Sequence, residues 1–243
     1  MPTTPTEPSS APGGRLDPAA LQAVPLFADL DRAALADVVQ AGRTHRVLKD
    51  AALFEQAAPA TALHLVLQGR LKVVQAGADG QQIVVRFVGP NDLAGVFALL
   101  GPGQVYPATV AAVVDCVVLS WEGPVLQEML RRHPTLVVNA MRVLGGRSQE
   151  VHARLREAAT ERVERRLALA LLRLVRQSGV REEGGAVRID FPVARQDLAE
   201  MAGTTLHTAS RILSGWEQAG ILAGGRMRIV VQDPHALVRI AEG

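Results

Sequence analysis

Between Arg43 and Trp121 the apolar residues come in short runs broken by glycines, and after Trp121 they recur every three or four residues. That change of period constrains the fold more than any other feature of the chain. Leu63–Leu67, Leu71–Val74 and Ile83–Val88 are separated by Gly69 and by the Gly77–Gly80 turn. Strands of about six residues at spacings of about ten indicate an antiparallel barrel or sandwich. Ala108–Trp121 supplies its closing strands. Ahead of the barrel, Pro18–Gln22 starts a helix, and Asp31 caps another that carries Leu35, Val38 and Val39.

Past the barrel, Val125, Leu126, Met129 and Leu130 suit a short helix ending near His133. Pro134 falls in the first turn of a new helix, where proline is tolerated, and that helix runs to about Ala159. Val137, Ala140, Leu144, Val151, Leu155 and Ala158 step along it by threes and fours, with a gap around Arg147. The pattern resembles a coiled-coil seam, as in a homodimer; the alternative is a connecting helix packed on its own barrel. Gly145-Gly146 weakens it locally by about 1 kcal/mol per glycine relative to alanine.

Composition removes several classes. Hydrophobic residues make up 48% of the 243 and charged residues 21%, a globular balance. The net charge is +2, nearly all the positive charge being arginine, which permits nucleic-acid binding without arguing for it. Cys116 is the only cysteine, so no intramolecular disulfide and no iron–sulfur cluster held by one chain's thiolates can form. No apolar run nears the roughly 18 residues of a membrane span. Met1–Gly14 is rich in Pro, Thr and Ser and reads as a disordered tail, with a cytoplasmic location as the expectation.

The C-terminal third carries the chemistry. Arg162–Gln177 is an amphipathic helix dense in leucine, Val187–Phe191 a short strand, and Arg195–Ala202 a helix with Leu198 and Met201/Ala202 buried. Ala199 is small where a second helix crosses, and Gly203 supplies a positive φ at the bend. Thr204 or Thr205 caps the next helix, on which Ala209, Ile212, Leu213 and Trp216 share one face and His207, Ser210 and Arg211 another. A short polar face led by an arginine can enter the major groove and contact guanine in bidentate fashion. An ordinary helical hairpin with a solvated polar face shares this pattern. Against it stand a following hairpin, Leu222–Val231, with Arg226 near its tip, and the motif's place after the dimer helix, where a two-fold reader of palindromic DNA needs it.

With these parts in this order, the chain resembles the Crp/Fnr family of bacterial regulators over about Leu21–Ile240. The residues that carry the resemblance are Gly69, Gly80, Asp92-x-x-Gly95, and Arg195…Leu198-Ala199…Gly203…Thr208-x-Ser210-Arg211-Ile212-Leu213. It implies an α+β fold: an N-terminal double-stranded β-helix (a cyclic-nucleotide-binding-like jelly roll), a long dimerisation helix and a C-terminal winged helix-turn-helix. The expected division is a tail at 1–17, a sensory barrel at 18–133, a dimerisation helix at 134–159 and a DNA-binding domain at 160–243. The resemblance assigns phosphate contacts to Arg195, Thr205 and Thr208 and base readout to His207, Ser210 and Arg211; Gln196, Thr204 and Arg226 complete the expected DNA surface. Double-stranded DNA, a second copy of the chain and RNA polymerase are the implied partners, with no membrane.

The expected effector pocket departs from the nucleotide-binding pattern. Val96 stands where the family's cyclic-AMP receptors have the ribose-binding glutamate, and Tyr106-Pro107 where they have the Arg-Ser pair for the phosphate. A phosphate buried there without a cation costs several kcal/mol, so cyclic AMP is not expected. The nitric-oxide-responsive, Dnr-type branch is the nearest resemblance and implies haem in an apolar pocket. Gly95, Val96, Phe97, Leu99 and Tyr106 would line that pocket with Val151 and His152 of the long helix, His152 being the preferred axial ligand.

Readings from other classes find less. A cupin-like metalloenzyme needs a His-x-His pair, and His64 has no partner at that spacing. No Ser/His/Asp arrangement, P-loop or dinucleotide fingerprint is present, so no enzyme activity is expected. A regulatory module whose helix-turn-helix serves only protein contacts is the remaining rival.

Overall fold

The computed structural model describes residues 17–77, 80–225 and 227–243. The tail expected at 1–17 lies outside them apart from Asp17, which caps the first 3-10 turn by accepting from the Ala19 N–H at 3.0 Å. The chain divides into two compact units. One holds residues up to Lys72 together with Val88–Ser148; the other holds Val73–Phe87 and Gln149–Gly243.

Two 3-10 turns, Pro18–Ala23 and Pro25–Phe27, lead into α1 (Arg32–Ala41), whose N–H of Ala34 is capped by Asp31 at 2.8 Å. Eight strands follow: β1 Arg43–Val47, β2 Ala52–Phe54, β3 Ala62–Gln68, β4 Leu71–Ala76, β5 Gln82–Val88, β6 Leu93–Ala94, β7 Thr109–Ala112 and β8 Cys116–Glu122. They form two four-stranded sheets, ordered β1-β8-β3-β6 and β2-β7-β4-β5. Two helices complete the stretch, α2 (Gly123–Arg132) and α3 (Pro134–Thr160).

β3 is apolar on both sides of its one histidine, His64, because both its faces are covered. Leu63 and Leu65 join Leu119 and Trp121 of β8 in a core completed by Leu26, Phe27, Leu35, Val38, Leu126 and Leu136. On the opposite face His64 and Val66 are buried opposite Ser120 and Val118. Trp121 anchors the outer core: its indole donates to the Val38 carbonyl at 2.8 Å, and its ring tilts against Phe27 with centroids 5.4 Å apart. Asn139 of α3 is 1% exposed and donates to the Leu26 and Ala28 carbonyls at 3.1 and 2.7 Å, fastening the N-terminal turns to the helix.

Of the seam expected on α3, Ala140 is buried in the core just described and Leu144 packs against it, while Met141 is exposed. Val137 is 44% exposed, Met141 70%, Val151 54% and Leu155 68%, with Leu144 half-buried. No helix among the described residues is long and apolar enough to cross a membrane.

In the second unit α4 (Val163–Ser178) buries Leu167, Leu171 and Leu174 along one face, each side chain worth about 1.5–3 kcal/mol of burial. It is followed by β9 (Gly179–Arg181), β10 (Val187–Ile189), α5 (Arg195–Met201), α6 (Leu206–Gln218), β11 (Leu222–Gly225), β12 (Arg228–Val231) and α7 (Pro234–Glu242). The small sheet is ordered β11-β12-β10-β9. Phe87, also in this unit, sets its ring against Phe191 at 4.8 Å, and its carbonyl accepts from Gln177 Nε2 at 2.9 Å.

Candidate functional site

The bend between α5 and α6 is built as the residue types require. Gly203 has φ +59°, and Ala199, fully buried, lies where the two helices cross. Asp197 accepts from the Ala194 N–H at 2.9 Å, closing the first turn of α5. Thr205, and not Thr204, caps α6, accepting from the Thr208 N–H at 3.2 Å and donating to the Thr208 hydroxyl at 3.0 Å. The turn is also held from below. Arg166 of α4 donates to the Ala202 carbonyl at 2.7 Å, to that of Gly203 at 3.1 Å and to that of Glu161 at 2.8 Å.

On α6, Ala209, Leu213 and Trp216 face the core, with Ile212 half-buried. His207 and Arg211 are exposed and one turn apart, and Ser210 is half-buried beside them. Leu206, which the polar pattern did not single out, opens the helix and is 46% exposed. The hairpin β11–β12 pairs Leu222 with Val231 through to Gly225 with Arg228. Arg226, expected near the tip, lies outside the described residues.

Arg195 is in a setting that sequence reasoning missed. Its Nη2 donates to both carboxylate oxygens of Glu217 at 2.8 and 2.7 Å, and its Nη1 to the Ser214 hydroxyl at 2.9 Å and the Ser210 carbonyl at 3.3 Å. The guanidinium assigned to a phosphate is thus tied to α6 in this structure. Gln196 is exposed and donates to Glu200 at 2.7 Å. Twenty-two residues separate Arg195 from Glu217, a distance at which no local pattern signals a pair.

In the barrel, the expected pocket residues separate into two groups. Val96 and Leu99 point into the hydrophobic core, with Phe97 packed against it, and do not wall an opening. Gly95 and Tyr106 do meet. The Tyr106 ring is 3% exposed and stacks on Phe54 at a centroid distance of 3.7 Å. A Cβ at Gly95 would lie 2.6 Å from the Ala62 carbonyl oxygen and 3.2 Å from Tyr106 Cε1. The Tyr106 hydroxyl accepts from the Ala62 N–H at 3.0 Å and donates to the Ala62 carbonyl at 2.8 Å. Beyond Phe54, His64 shares a hydrogen bond of 2.6 Å between Nδ1 and the Ser120 hydroxyl. Burial, with His45 nearby, holds the His64 pKa down to about 4. Val151 and His152 are exposed on α3. Val96 and Leu99 are thus used in core packing, and no group of three or more His, Cys, Asp or Glu side chains that could hold a metal ion occurs among the described residues.

Residues 44–133 match the family model of the cyclic nucleotide-binding domain, and residues 165–240 match that of the Crp-like helix-turn-helix domain. A strand-built domain of the first kind with a winged motif of the second makes the chain a DNA-binding transcriptional regulator with an effector-binding domain. The cyclic AMP receptor protein of Thermus thermophilus is 29% identical over 191 residues, covering 79% of this chain and 84% of its own length. A CRP-like cAMP-activated global transcriptional regulator of Mycobacterium tuberculosis is 24% identical over 191 residues, covering 78% and 84%. The structure of FixK2 from Bradyrhizobium japonicum superposes with a TM-score of 0.72 at 22% identity, covering 82% of this chain and 96% of that one, a likeness of fold. The chain belongs to the Crp/Fnr family of transcriptional regulators.

Proposed function

We propose that the chain acts as a homodimer that reads a palindromic operator with two copies of α6, under the control of a small effector other than a cyclic nucleotide. The observation that carries the DNA-reading part is the solvent face of α6, where Leu206, His207, Ser210 and Arg211 sit within a turn and a half of a capped helix start. Arg211 offers a bidentate contact to guanine, and His207 sets the preference at a neighbouring base. Thr205 and Thr208 sit at the helix start, where hydroxyls and free N–H groups meet phosphates.

Pairing is supported by the exposed stripe Val137, Met141, Val151 and Leu155, whose spacing follows a heptad with Leu144 and Ser148 filling its steps. An effector other than a cyclic nucleotide is supported by Val96, Tyr106 and Pro107, none of which can neutralise a phosphate. RNA polymerase is the partner through which such a regulator acts, and no catalytic step is assigned.

Selection from random duplexes tests this reading. A two-fold symmetric sequence with half-sites about 34 Å apart should be enriched. Arg211→Ala should then lose about 5- to 150-fold in affinity for each half-site, the worth of one bidentate base contact of about 1–3 kcal/mol. Absence of any enriched sequence, or equal binding by the variant, would refute it.

A further inference from the structure

The interior of the barrel is occupied by a part of the chain itself. Segment 104–106 is fixed by its backbone: the Ala57 N–H donates to the Tyr106 carbonyl at 2.8 Å, the Tyr106 N–H to the Ala58 carbonyl at 2.9 Å, and the Ala60 N–H to the Gln104 carbonyl at 2.8 Å. The side chain is held separately from that backbone, by its own contacts. It lies inward, against Phe54, beside the missing side chain of Gly95, with its oxygen on Ala62. Ala62 is at the start of β3, beyond the two residues that β6 pairs, so its N–H and C=O on that side have no strand to bind. One hydroxyl satisfies both.

We propose that this is a binding site for a small neutral phenol, which enters by displacing the Tyr106 ring and takes its place between Phe54 and Gly95 with its hydroxyl on Ala62. The chemistry of the ligand follows from the two backbone groups. They face a single oxygen, one donating to it and one accepting from it. A carboxylate cannot donate and is repelled by the carbonyl; an ammonium cannot accept from the N–H; a hydroxyl does both. The flat stack on Phe54 selects an aromatic ring to bear that hydroxyl. Burial pushes the Tyr106 phenol above its ordinary pKa, which keeps the proton that the Ala62 carbonyl needs. The same environment favours a protonated phenol over a phenolate. Tyr106 then serves as a latch, and the ligand acts on the domain by releasing it. This rests on the barrel being the effector-binding part of the protein.

Tyr106 is the only tyrosine in the chain, so 3-fluorotyrosine labelling gives one 19F resonance that reports on the latch alone. p-Cresol, the side chain in free form, should move that resonance saturably towards the position of an exposed fluorotyrosine, while toluene and benzoate should not. Tyr106→Phe, which leaves the Ala62 pair unsatisfied, should bind p-cresol at least tenfold more tightly than the parent by calorimetry. Phe54→Leu should weaken p-cresol binding in the parent and so guards against a folding defect in the first variant. A resonance unmoved at millimolar p-cresol, a shift of equal size with toluene, or equal affinity in Tyr106→Phe would each overturn the proposal. Operator binding is read in the same samples. Absence of operator binding both with and without p-cresol, the shift being intact, would count against the DNA-reading function and leave the latch standing.

Discussion

His64 sits in the barrel with its imidazole held neutral by burial, and that has a cost the pH sets. Unfolded, it takes a proton near pH 6.5; folded, only near pH 4. As the pH falls through that window the unfolded chain gains a proton that the folded chain does not. Stability that is fully present above about pH 6.5 is therefore lost progressively and stops falling below about pH 4. The interval corresponds to roughly 3 kcal/mol at 1.36 kcal/mol per pKa unit. Thermal unfolding of the parent should show this slope between pH 7 and 4. His64→Gln, which keeps a hydrogen-bonding group facing Ser120, should remove most of it. Parallel curves for the two proteins would mean that the folded His64 titrates normally.

At the scale of elements, the tie between α5 and α6 sets how the DNA surface is presented. Glu217 holds Arg195 through two charge-assisted bonds and puts a negative charge beside the guanidinium proposed to meet a phosphate. Glu217→Gln should free the guanidinium. Binding to operator and to unrelated duplex should then rise by a similar factor of about 3 to 10 at low salt, with a salt dependence steeper by about one phosphate per subunit and unchanged discrimination. Fluorescence anisotropy at several salt concentrations measures all three. A change in discrimination would place Glu217 in base reading instead.

Much of this architecture is legible in the chain because period reports burial. β3, β4, β5 and β8 and helices α2, α3 and α4 stand close to where periodicity puts them. β1 escapes that logic: Arg43-Thr44-His45-Arg46 are polar or half-exposed, and the strand exists because β8 pairs with it from end to end. β6 is two residues long, too short to carry any period. The site follows the same rule. His207, Ser210 and Arg211 are found by helical spacing, whereas Glu217, Arg166 and the backbone of Ala62 act through tertiary contacts that no spacing encodes. Val96 and Leu99 mislead for a related reason, since an apolar run does not say which of two apolar spaces it fills.

At the scale of the whole molecule, the apolar stripe of α3 is an unbalanced feature among the described residues. Val137, Met141, Val151 and Leu155 make up the stripe, four of the five large apolar side chains that α3 leaves 44% to 70% exposed, and they are costly to leave in water. Met141→Glu with Leu155→Glu should convert a dimer into a monomer by light scattering. Far-ultraviolet circular dichroism should be unchanged, and operator affinity should fall by more than 100-fold. A variant that remains dimeric would place the interface elsewhere.

The brevity of the reading face has a meaning of its own. Four side chains at the start of one helix, Leu206, His207, Ser210 and Arg211, can distinguish about four base pairs, a word that recurs by chance about every 256 positions. Against the roughly million or more competing sites of a genome, that is far too little information to address a gene. Reading the word twice in fixed register lengthens the recurrence to about 65,000 positions. If the proposed dimer reads two such words, what remains of the address would fall to the sequence-dependent stiffness of the DNA between them.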